Sequence, residues 1–214
     1  VIYGMEAYVV NDIDRQLILK KPDNRDFNDE IIIFDVETTG LSFKNDRLTS
    51  IAAVKVKNLQ NVDTFETYVN PGMHIPENIT ELTGITDDML VDAPEVSDVL
   101  KKFKAWTGDS ILVAHNASFD MGFLNVGYKK MGSEKADNPV IDTLELGRFL
   151  YPELKNHRLN TLAKKFDINL TQHHRAIYDT EATGELMLHL LKQADAMGIK
   201  YHDEFNKHVG GAEG

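Results

Sequence analysis

The sequence lacks several features that define whole classes of protein. None of its 214 residues is cysteine, which excludes disulfides, thiolate catalysis and thiolate-bound zinc or iron–sulfur clusters. No stretch approaches about 18 consecutive apolar residues, and the first ten residues lack the basic start and long apolar centre of a signal peptide. We therefore expect a cytoplasmic protein with no membrane partner, in which any metal is bound by oxygen or imidazole.

Basic residues are also in the minority, with 23 Lys plus Arg against 34 Asp plus Glu and a formal charge of −11. That balance at first argues against a nucleic-acid partner, because phosphate binding normally relies on Lys and Arg. The charge is uneven, however. Residues 77–98 carry seven acids and no Lys or Arg, whereas residues 146–175 carry six basic residues against two acids. The acidity as a whole therefore does not exclude DNA.

The hydrophobic pattern predicts an α/β fold with a mixed sheet. At 42% hydrophobic and 27% charged residues, the chain has enough apolar side chains for a sizeable core. A continuous apolar run, Ile31 to Phe34, is typical of a strand buried on both faces. Strands come first and then alternate with helices. We predict strands at 31–34, 48–56, 61–69, 110–114 and 139–141, and helices after Pro94 and at 117–131, 143–150, 159–166 and 176–191.

Two acids, Asp35 and Glu37, follow the buried run. Side chains alternate along a strand, so both carboxylates point to one face while Val36 points to the other. A solvated loop is the other interpretation, since charged residues are mostly exposed. The apolar residues upstream favour a site instead, because they hold the pair near the carboxyl edge of the sheet. Carboxylates gathered there repel each other and require a cation.

Two further acids lie near predicted helix starts. Asp120 is one turn inside a helix that Asn116 can cap, and Asp179 is near the start of the last long helix. An acid near a helix N-terminus is also favoured by the helix dipole alone, so a structural role is the alternative for both. His174 lies five residues before Asp179, and its neighbour His173 is a second candidate for any role of an imidazole.

Together these residues resemble the DnaQ-like exonuclease superfamily, which is named for Asp-Glu-Asp-Asp metal ligands and a catalytic His. The match extends over residues 30–191, in the order of the family. The motifs that carry it are Phe34-Asp35-Val36-Glu37-Thr38-Thr39-Gly40-Leu41, Glu81-Leu82-Thr83-Gly84-Ile85, His115-Asn116-Ala117-Ser118-Phe119-Asp120 and His174-x-Ala176-x-x-Asp179. A related subclass has Tyr four residues before the last Asp, where this chain has Arg175. The His type is thus the better match, and spacing selects His174 over His173.

The resemblance implies a ribonuclease H-like fold, in which a three-strand antiparallel meander and parallel strands form one sheet flanked by helices. It implies two divalent cations, Mg²⁺ or Mn²⁺, as cofactors, with His174 as the base that takes a proton from the attacking water. The implied product is a 5′-mononucleotide released from a 3′ end. The implied metal ligands are Asp35, Glu37, Asp120 and Asp179.

The same resemblance implies a set of substrate contacts around the terminal nucleotide. The backbone of Thr38 and Thr39 would meet that nucleotide, and Leu41 and Leu82 would wedge against its base, although ordinary packing is the alternative for both leucines. The other implied contacts are His115, Asn116 and Phe119.

Two positions qualify this assignment. Many relatives have Glu or Gln in the second strand, where this chain has Ser50, which leaves substrate placement or metal tuning open. Asp142 resembles a fifth ligand, but with Glu145 three residues later it fits a helix-capping pair better.

Within the superfamily, the resemblance is strongest to the proofreading exonuclease segment of PolC-type bacterial replicative DNA polymerases. The segments that carry it are Ala114 to Phe123, Val140 to Leu146 and Leu170 to Asp179. In those polymerases the exonuclease interrupts a PHP domain, and the two flanks of this chain resemble the two sides of that break. We therefore expect an exonuclease domain at 30–195 between flanking segments at 1–29 and 196–214.

The expected partners are a single-stranded or frayed DNA 3′ end and the rest of a polymerase polypeptide, its PHP and polymerase domains. Two alternatives stay open. An exoribonuclease or oligoribonuclease of the same superfamily would keep the fold and change the substrate. A catalytically idle module that docks polymerase partners would keep the fold and lack the reaction.

Overall fold

The computed structural model describes residues 18–170 and 174–207. Within them, six strands form one sheet in the order β1-β6-β5-β2-β3-β4. The strands are β1 (Leu19–Lys20), β2 (Ile31–Thr38), β3 (Leu48–Lys57), β4 (Gln60–Tyr68), β5 (Ile111–Ala114) and β6 (Val140–Asp142). The helices are α1 (Glu77–Thr83), α2 (Asp87–Leu90), α3 (Val96–Thr107), α4 (Ala117–Lys130), α5 (Thr143–Leu150), α6 (Leu159–Lys165) and α7 (Ala176–Ala196), followed by a 3₁₀ helix, His202–Lys207.

The sheet is mixed, and β2 lies at the junction of its two parts. β2, β3 and β4 pair antiparallel, whereas β2 pairs parallel with β5 and β5 pairs parallel with β6. The apolar run of β2 is buried on both faces, as its composition predicts. The predicted antiparallel meander with added parallel strands is therefore confirmed.

Alternate residues of β2 face two different layers of helices. Ile31 and Ile33 pack in a core cluster with residues of α5, α6 and α7, whereas Ile32 and Phe34 pack with α3 and α4. Because side chains alternate, the face that carries Ile31 and Ile33 also carries Asp35. The acids at the end of β2 thus lie on the side of the sheet covered by α7.

Parts of both predicted flanks pack against this core. Leu19 pairs with Ile141 as part of β1. The sequence did not predict this strand, because the residues around Lys20 are charged. The side-chain oxygen of Asn206 accepts hydrogen bonds from the backbone N–H groups of Ile18 at 2.9 Å and Leu19 at 3.2 Å. The first 17 residues and the last seven, which are parts of the two predicted flanks, lie outside the described residues.

Two short helices, α1 and α2, lie in the acidic stretch and were not predicted. They have seven and four residues, which is too short for a periodic apolar pattern. Ile75, Ile85 and Leu90 form a small core of their own beneath them. Among the described helices, none has the length and apolar character needed to cross a membrane.

Candidate active site

Asp35 and Glu37 lie side by side at the end of β2, and both are half-buried. Carboxylate oxygens of Asp35, Glu37 and Asp179 all lie within 4.8 Å of one another. This spacing is short enough for the three side chains to bind one cation together. The predicted convergence of these three acids is therefore present in the structure.

Asp179 is brought to the cluster by the first turn of α7. Its carboxylate is buried and accepts a hydrogen bond from the backbone N–H of His174 at 2.7 Å. The next residue, Thr180, donates its hydroxyl to the backbone carbonyl of Ala52 on β3 at 3.2 Å. This bond fixes the start of α7 against the sheet, so Asp179 cannot move freely away from β2.

Asp120 reaches the same region from the first turn of α4. It is 3% exposed, and its Oδ1 accepts a hydrogen bond from the backbone N–H of Val36 at 3.1 Å. Val36 lies between Asp35 and Glu37, so this bond holds Asp120 beside both acids. Asp120 is adjacent to the group of three that could hold one cation, rather than part of it.

The cluster is electrostatically unfavourable without cations. Burial, followed by the charges of Asp120, Glu37 and Asp179, raises the pKa of Asp35 well above its usual value. Burial and the charges of Asp179 and Asp120 raise the pKa of Glu37 to about 9. The pKa of Asp120 is also raised, chiefly by burial. Bound cations would offset these shifts by stabilising the ionised carboxylates, and carboxylate oxygens suit hard divalent metals.

His174 lies directly after residues 171–173, which fall outside the described part of the chain. Its backbone has a φ of 68°, in the left-handed region, and its N–H is the group that binds Asp179. The backbone of the predicted base is thus anchored to a predicted ligand. His173 is among the residues not described, so the choice between the two histidines stays a prediction.

Asp142 lies at the end of β6 and has a different role from the clustered acids. Its two oxygens accept hydrogen bonds from the backbone N–H groups of Leu144 at 2.9 Å, Asn116 at 2.9 Å and Ala117 at 3.0 Å. Asp142 therefore caps α5, as predicted. Glu145 does not complete a capping box, because it binds Arg148 at 2.6 Å.

The prediction that the Asn116 side chain caps α4 is wrong. Asn116 has a left-handed backbone with φ 65°, and its side chain makes no capping hydrogen bond. Asp142 satisfies the N–H groups at this helix start instead. The sequence could not indicate this, because the two residues are 26 positions apart.

The loop after β2 is held by the side chains of Thr38 and Thr39, both of which are buried. The Thr38 hydroxyl donates to the carbonyl of Gly40 at 2.5 Å, and the Thr39 hydroxyl donates to Asp46 at 3.2 Å. A Cβ on Gly40 would lie 2.6 Å from Asp46 Oδ2, so only glycine allows this approach. The threonine hydroxyls therefore make hydrogen bonds within the loop, which leaves the loop backbone as the predicted contact for a substrate.

Sequence reasoning missed two residues of this loop. Asp46 accepts hydrogen bonds from the Thr39 hydroxyl and the backbone N–H of Ser42 at 2.8 Å. The ring of Phe43 packs against Phe123 of α4, with centroids 5.1 Å apart. The Asp46 contact could have been suspected from the turn-forming residues around it, whereas the Phe43 contact depends on the tertiary fold.

The other predicted substrate contacts differ in exposure. Leu82 is 50% exposed on α1, Leu41 and Phe119 are half-buried, and Asn116 is exposed. His115 is half-buried, and its Nδ1 lies 2.9 Å from the Thr143 hydroxyl. The exposure of Leu82 shows that its side chain is not part of the core, which excludes ordinary core packing as its role. The roles of all five stay predictions.

The fold and the acid cluster define a class of protein, and the comparison with protein families agrees. The exonuclease family (RNase_T) matches residues 32–187, which include all four acids and His174. The chain therefore belongs to the exonuclease family.

Proteins similar in sequence to this chain include DNA polymerases III of the PolC type. The chain is 62% identical to the DNA polymerase III PolC-type of Bacillus subtilis (strain 168) over 211 residues, which make up 98% of this chain and 14% of that protein. It is 50% identical to the PolC-type protein of Listeria monocytogenes over 217 residues, again 98% of this chain and 14% of that protein. The chain thus spans about one seventh of the length of these relatives.

Solved structures with the same fold are exonucleases. Exonuclease X in complex with 5′ overhanging duplex DNA has a TM-score of 0.65 and 27% identity, covering 84% of this chain and 99% of that one. Exonuclease I has a TM-score of 0.69 and 18% identity, covering 78% of this chain and 43% of that one, a likeness that concerns the fold alone.

Proposed function

We propose that this chain is a two-metal 3′–5′ exonuclease that removes 5′-mononucleotides from DNA 3′ ends. One observation carries the proposal: the carboxylates of half-buried Asp35 and Glu37 and of buried Asp179 converge within 4.8 Å, with Asp120 beside them. A structural protein gains nothing from buried acids that raise one another's pKa, whereas a nuclease needs this charge to hold cations.

Asp35, Glu37, Asp120 and Asp179 would hold the metals, and their four negative charges match two Mg²⁺ or Mn²⁺ ions. Two cations about 3.5–4 Å apart supply charge neutralisation for both the attacking and the departing oxygen of a phosphodiester. The chain's own contribution is rigidity, because the bonds from Val36 to Asp120 and from His174 to Asp179 fix two of the ligands before substrate arrives.

His174 would accept the proton of the attacking water. An imidazole with an unperturbed pKa of about 6.5 can act as a base at neutral pH. The hydrogen bond from its backbone to Asp179 supports this role, because it keeps the residue close to a proposed metal ligand.

The terminal nucleotide would lie on the loop after β2. The backbone of Thr38 and Thr39 would contact its sugar, and the side chains of Leu41 and Leu82 would pack on its base. His115, Asn116 and Phe119 would complete this pocket. Apolar and stacking contacts of this kind accept any base, as removal of a mispaired nucleotide requires.

We further propose that the domain proofreads within a bacterial replicative polymerase and acts on single-stranded or frayed ends. The relatives that match 98% of this chain are PolC-type polymerases about seven times its length. Weak general affinity of an acidic domain for DNA is tolerable when a polymerase keeps the 3′ end at high local concentration.

The test is degradation of 5′-labelled single-stranded DNA in Mg²⁺, run beside RNA of the same sequence. We expect a ladder of shortened DNA products in Mg²⁺ and no such products in EDTA. We expect His174→Ala to lower kcat by about 10²–10⁴-fold. His173→Ala is the matched control. Equal activity of the two variants would overturn the role of His174, and faster cleavage of RNA would favour the exoribonuclease alternative. An intact fold that degrades neither strand would indicate a docking module.

A further inference from the structure

A cavity of about 350 Å³ lies on the α7 face of the sheet, directly beside the acid cluster. The strand register explains why it is there. Residues that are directly opposite on antiparallel strands lie on the same face. Two rows therefore cross β2, β3 and β4, namely Asp35, Ala52 and Glu66 in one and Glu37, Ser50 and Tyr68 in the other. The small side chains of Ala52 and Ser50 leave a depression between the acids and the larger residues of β4.

Three of the residues that line this cavity carry hydrogen-bond donors. Ser50, Tyr68 and Arg175 all line it. Nη2 of Arg175 lies 3.5 Å from the hydroxyl of Tyr68, and the guanidinium lies 5.6 Å from the ring centroid of Tyr178. A guanidinium between aromatic side chains and hydroxyls is an arrangement suited to an anion with several oxygens.

The rest of the cavity lining has different chemistry. Glu66 lies in the neighbouring row and can accept a hydrogen bond, while Ile85 and Ile177 supply apolar surface. A phosphate bound by Arg175 would thus have an acceptor and apolar side chains in the same cavity for its attached sugar or base. This combination fits a nucleotide better than it fits a free inorganic anion.

We propose that this cavity binds a phosphate of the substrate other than the one being cleaved, with Arg175 as its main ligand. This inference rests on the proposed nuclease function, which it deepens. The bound phosphate has two possible sources, one further along the strand or one that blocks a 3′ end. In both cases Arg175 adds positive charge beside four acids that would otherwise repel DNA.

Three short substrates separate the two sources. A thymidine dinucleotide contains only the phosphate that is cleaved. A trinucleotide adds one phosphate further along the strand, and a dinucleotide with a 3′-phosphate adds one at the end. The enzyme variants are Arg175→Ala, Arg175→Lys and, as a control, Lys102→Ala, which removes an exposed charge from α3 on the other face of the sheet.

We expect Arg175→Ala to lower kcat/KM at least tenfold more on one of the two phosphate-bearing substrates than on the plain dinucleotide. The substrate affected identifies the source of the phosphate. Arg175→Lys should recover part of the loss, because it keeps the charge without the planar donor pair. An equal loss on all three substrates, or no loss on any, would overturn the proposal.

A binding measurement keeps this result separate from the proposed reaction. Fluorescence anisotropy of the same three molecules, labelled at the 5′ end and kept in EDTA, reports binding without cleavage. Weaker binding of a phosphate-bearing molecule by Arg175→Ala supports the cavity even if no variant cleaves anything, in which case the nuclease function alone fails. Equal binding by wild type and Arg175→Ala would contradict the cavity even if cleavage is normal.

Discussion

Two groups of buried acids lie at the same edge of the sheet, and their surroundings differ. Asp142 is surrounded by backbone N–H groups that donate to both of its oxygens, and its pKa, raised by burial, reaches about 6. Glu37 has mainly other carboxylates for neighbours, and its pKa reaches about 9. The difference teaches that burial alone does not mark a metal site. Asp142 has a structural role, because backbone N–H groups donate hydrogen bonds to its carboxylate. The clustered acids raise one another's pKa and therefore require an external cation.

The largest expected effect that separates the two groups is on activity. Glu37→Gln keeps the shape of the side chain and removes a ligand charge, so we expect kcat in Mg²⁺ to fall on the order of 10³-fold. Asp142→Asn should keep kcat within about tenfold, because its bonds only support the turn that carries Asp120. Single-turnover cleavage of labelled DNA measures both. Similar losses for the two variants would remove the distinction.

Stability without metal should change in the opposite sense. In EDTA at pH 7, Glu37→Gln should raise the free energy of unfolding by about 1–3 kcal/mol, because the folded chain no longer has to hold a proton that Glu37 releases when the chain unfolds. Asp142→Asn should lower it by about 1.5–3 kcal/mol, since one N–H then faces an amide NH₂. Thermal and urea unfolding measure both values. An unchanged or lower free energy of unfolding for Glu37→Gln would show that the acid cluster is not strained.

The pH dependence of stability separates the two groups further. The pKa of Glu37 in the fold, about 9, lies above the ordinary value of 4.5. As pH rises, the unfolded chain therefore releases this proton at a lower pH than the folded chain does. In EDTA the free energy of unfolding should therefore fall as pH rises from 4.5 towards 9, by up to about 1.4 kcal/mol per pH unit for this group.

The contribution of Asp142 to that fall should end near pH 6, its pKa in the fold. His202, whose pKa burial lowers to about 4 in the fold, still contributes a rise near its ordinary value of 6.5, so the window from pH 7 to 8 isolates the cluster better. Glu37→Gln and saturating Mg²⁺ should each flatten the fall there, as measured by thermal unfolding at several pH values. A slope between pH 7 and 8 that neither change reduces would contradict the raised pKa.

The smallest expected effect is at Glu145, the neighbour of Asp142. Its carboxylate binds Arg148 three residues later, and the arginine side chain is 45% exposed. Partly exposed ion pairs of this kind contribute about 0–1 kcal/mol. Glu145→Gln should therefore change the free energy of unfolding by less than about 1 kcal/mol in urea titrations. A loss as large as that of Asp142→Asn would mean that Glu145 takes part in the cap.

Much of the site could be predicted because its signals are local. Asp35 and Glu37 follow directly from strand alternation after an apolar run, and the starts of α4 and α7 lie at the predicted positions. Contacts between distant segments could not be predicted in this way. The capping of α4 by Asp142, the Phe43 contact with Phe123 and the cavity between β4 and Arg175 all depend on how the elements meet.

The fold was predictable to a similar extent. The strands β2, β3, β5 and β6 contain apolar runs, whereas β1 has only two residues and is a strand because it pairs with β6. The helices α1 and α2 are held by a small core of three buried residues, too few to give a pattern.

The hydrogen bond between Asn206 and Ile18 has a consequence for synthesis on the ribosome. These residues are 188 positions apart. Among the described segments, β1 is therefore one of the first to be synthesised, and Asn206, which binds it, is one of the last. The sheet can form its central strands while the chain is still growing, but its β1 edge is secured only after Asn206 emerges. Closing so long a loop costs little more entropy than closing one half its length. We therefore expect the β1 edge to be secured late because Asn206 is translated late, and not because closing the loop is costly.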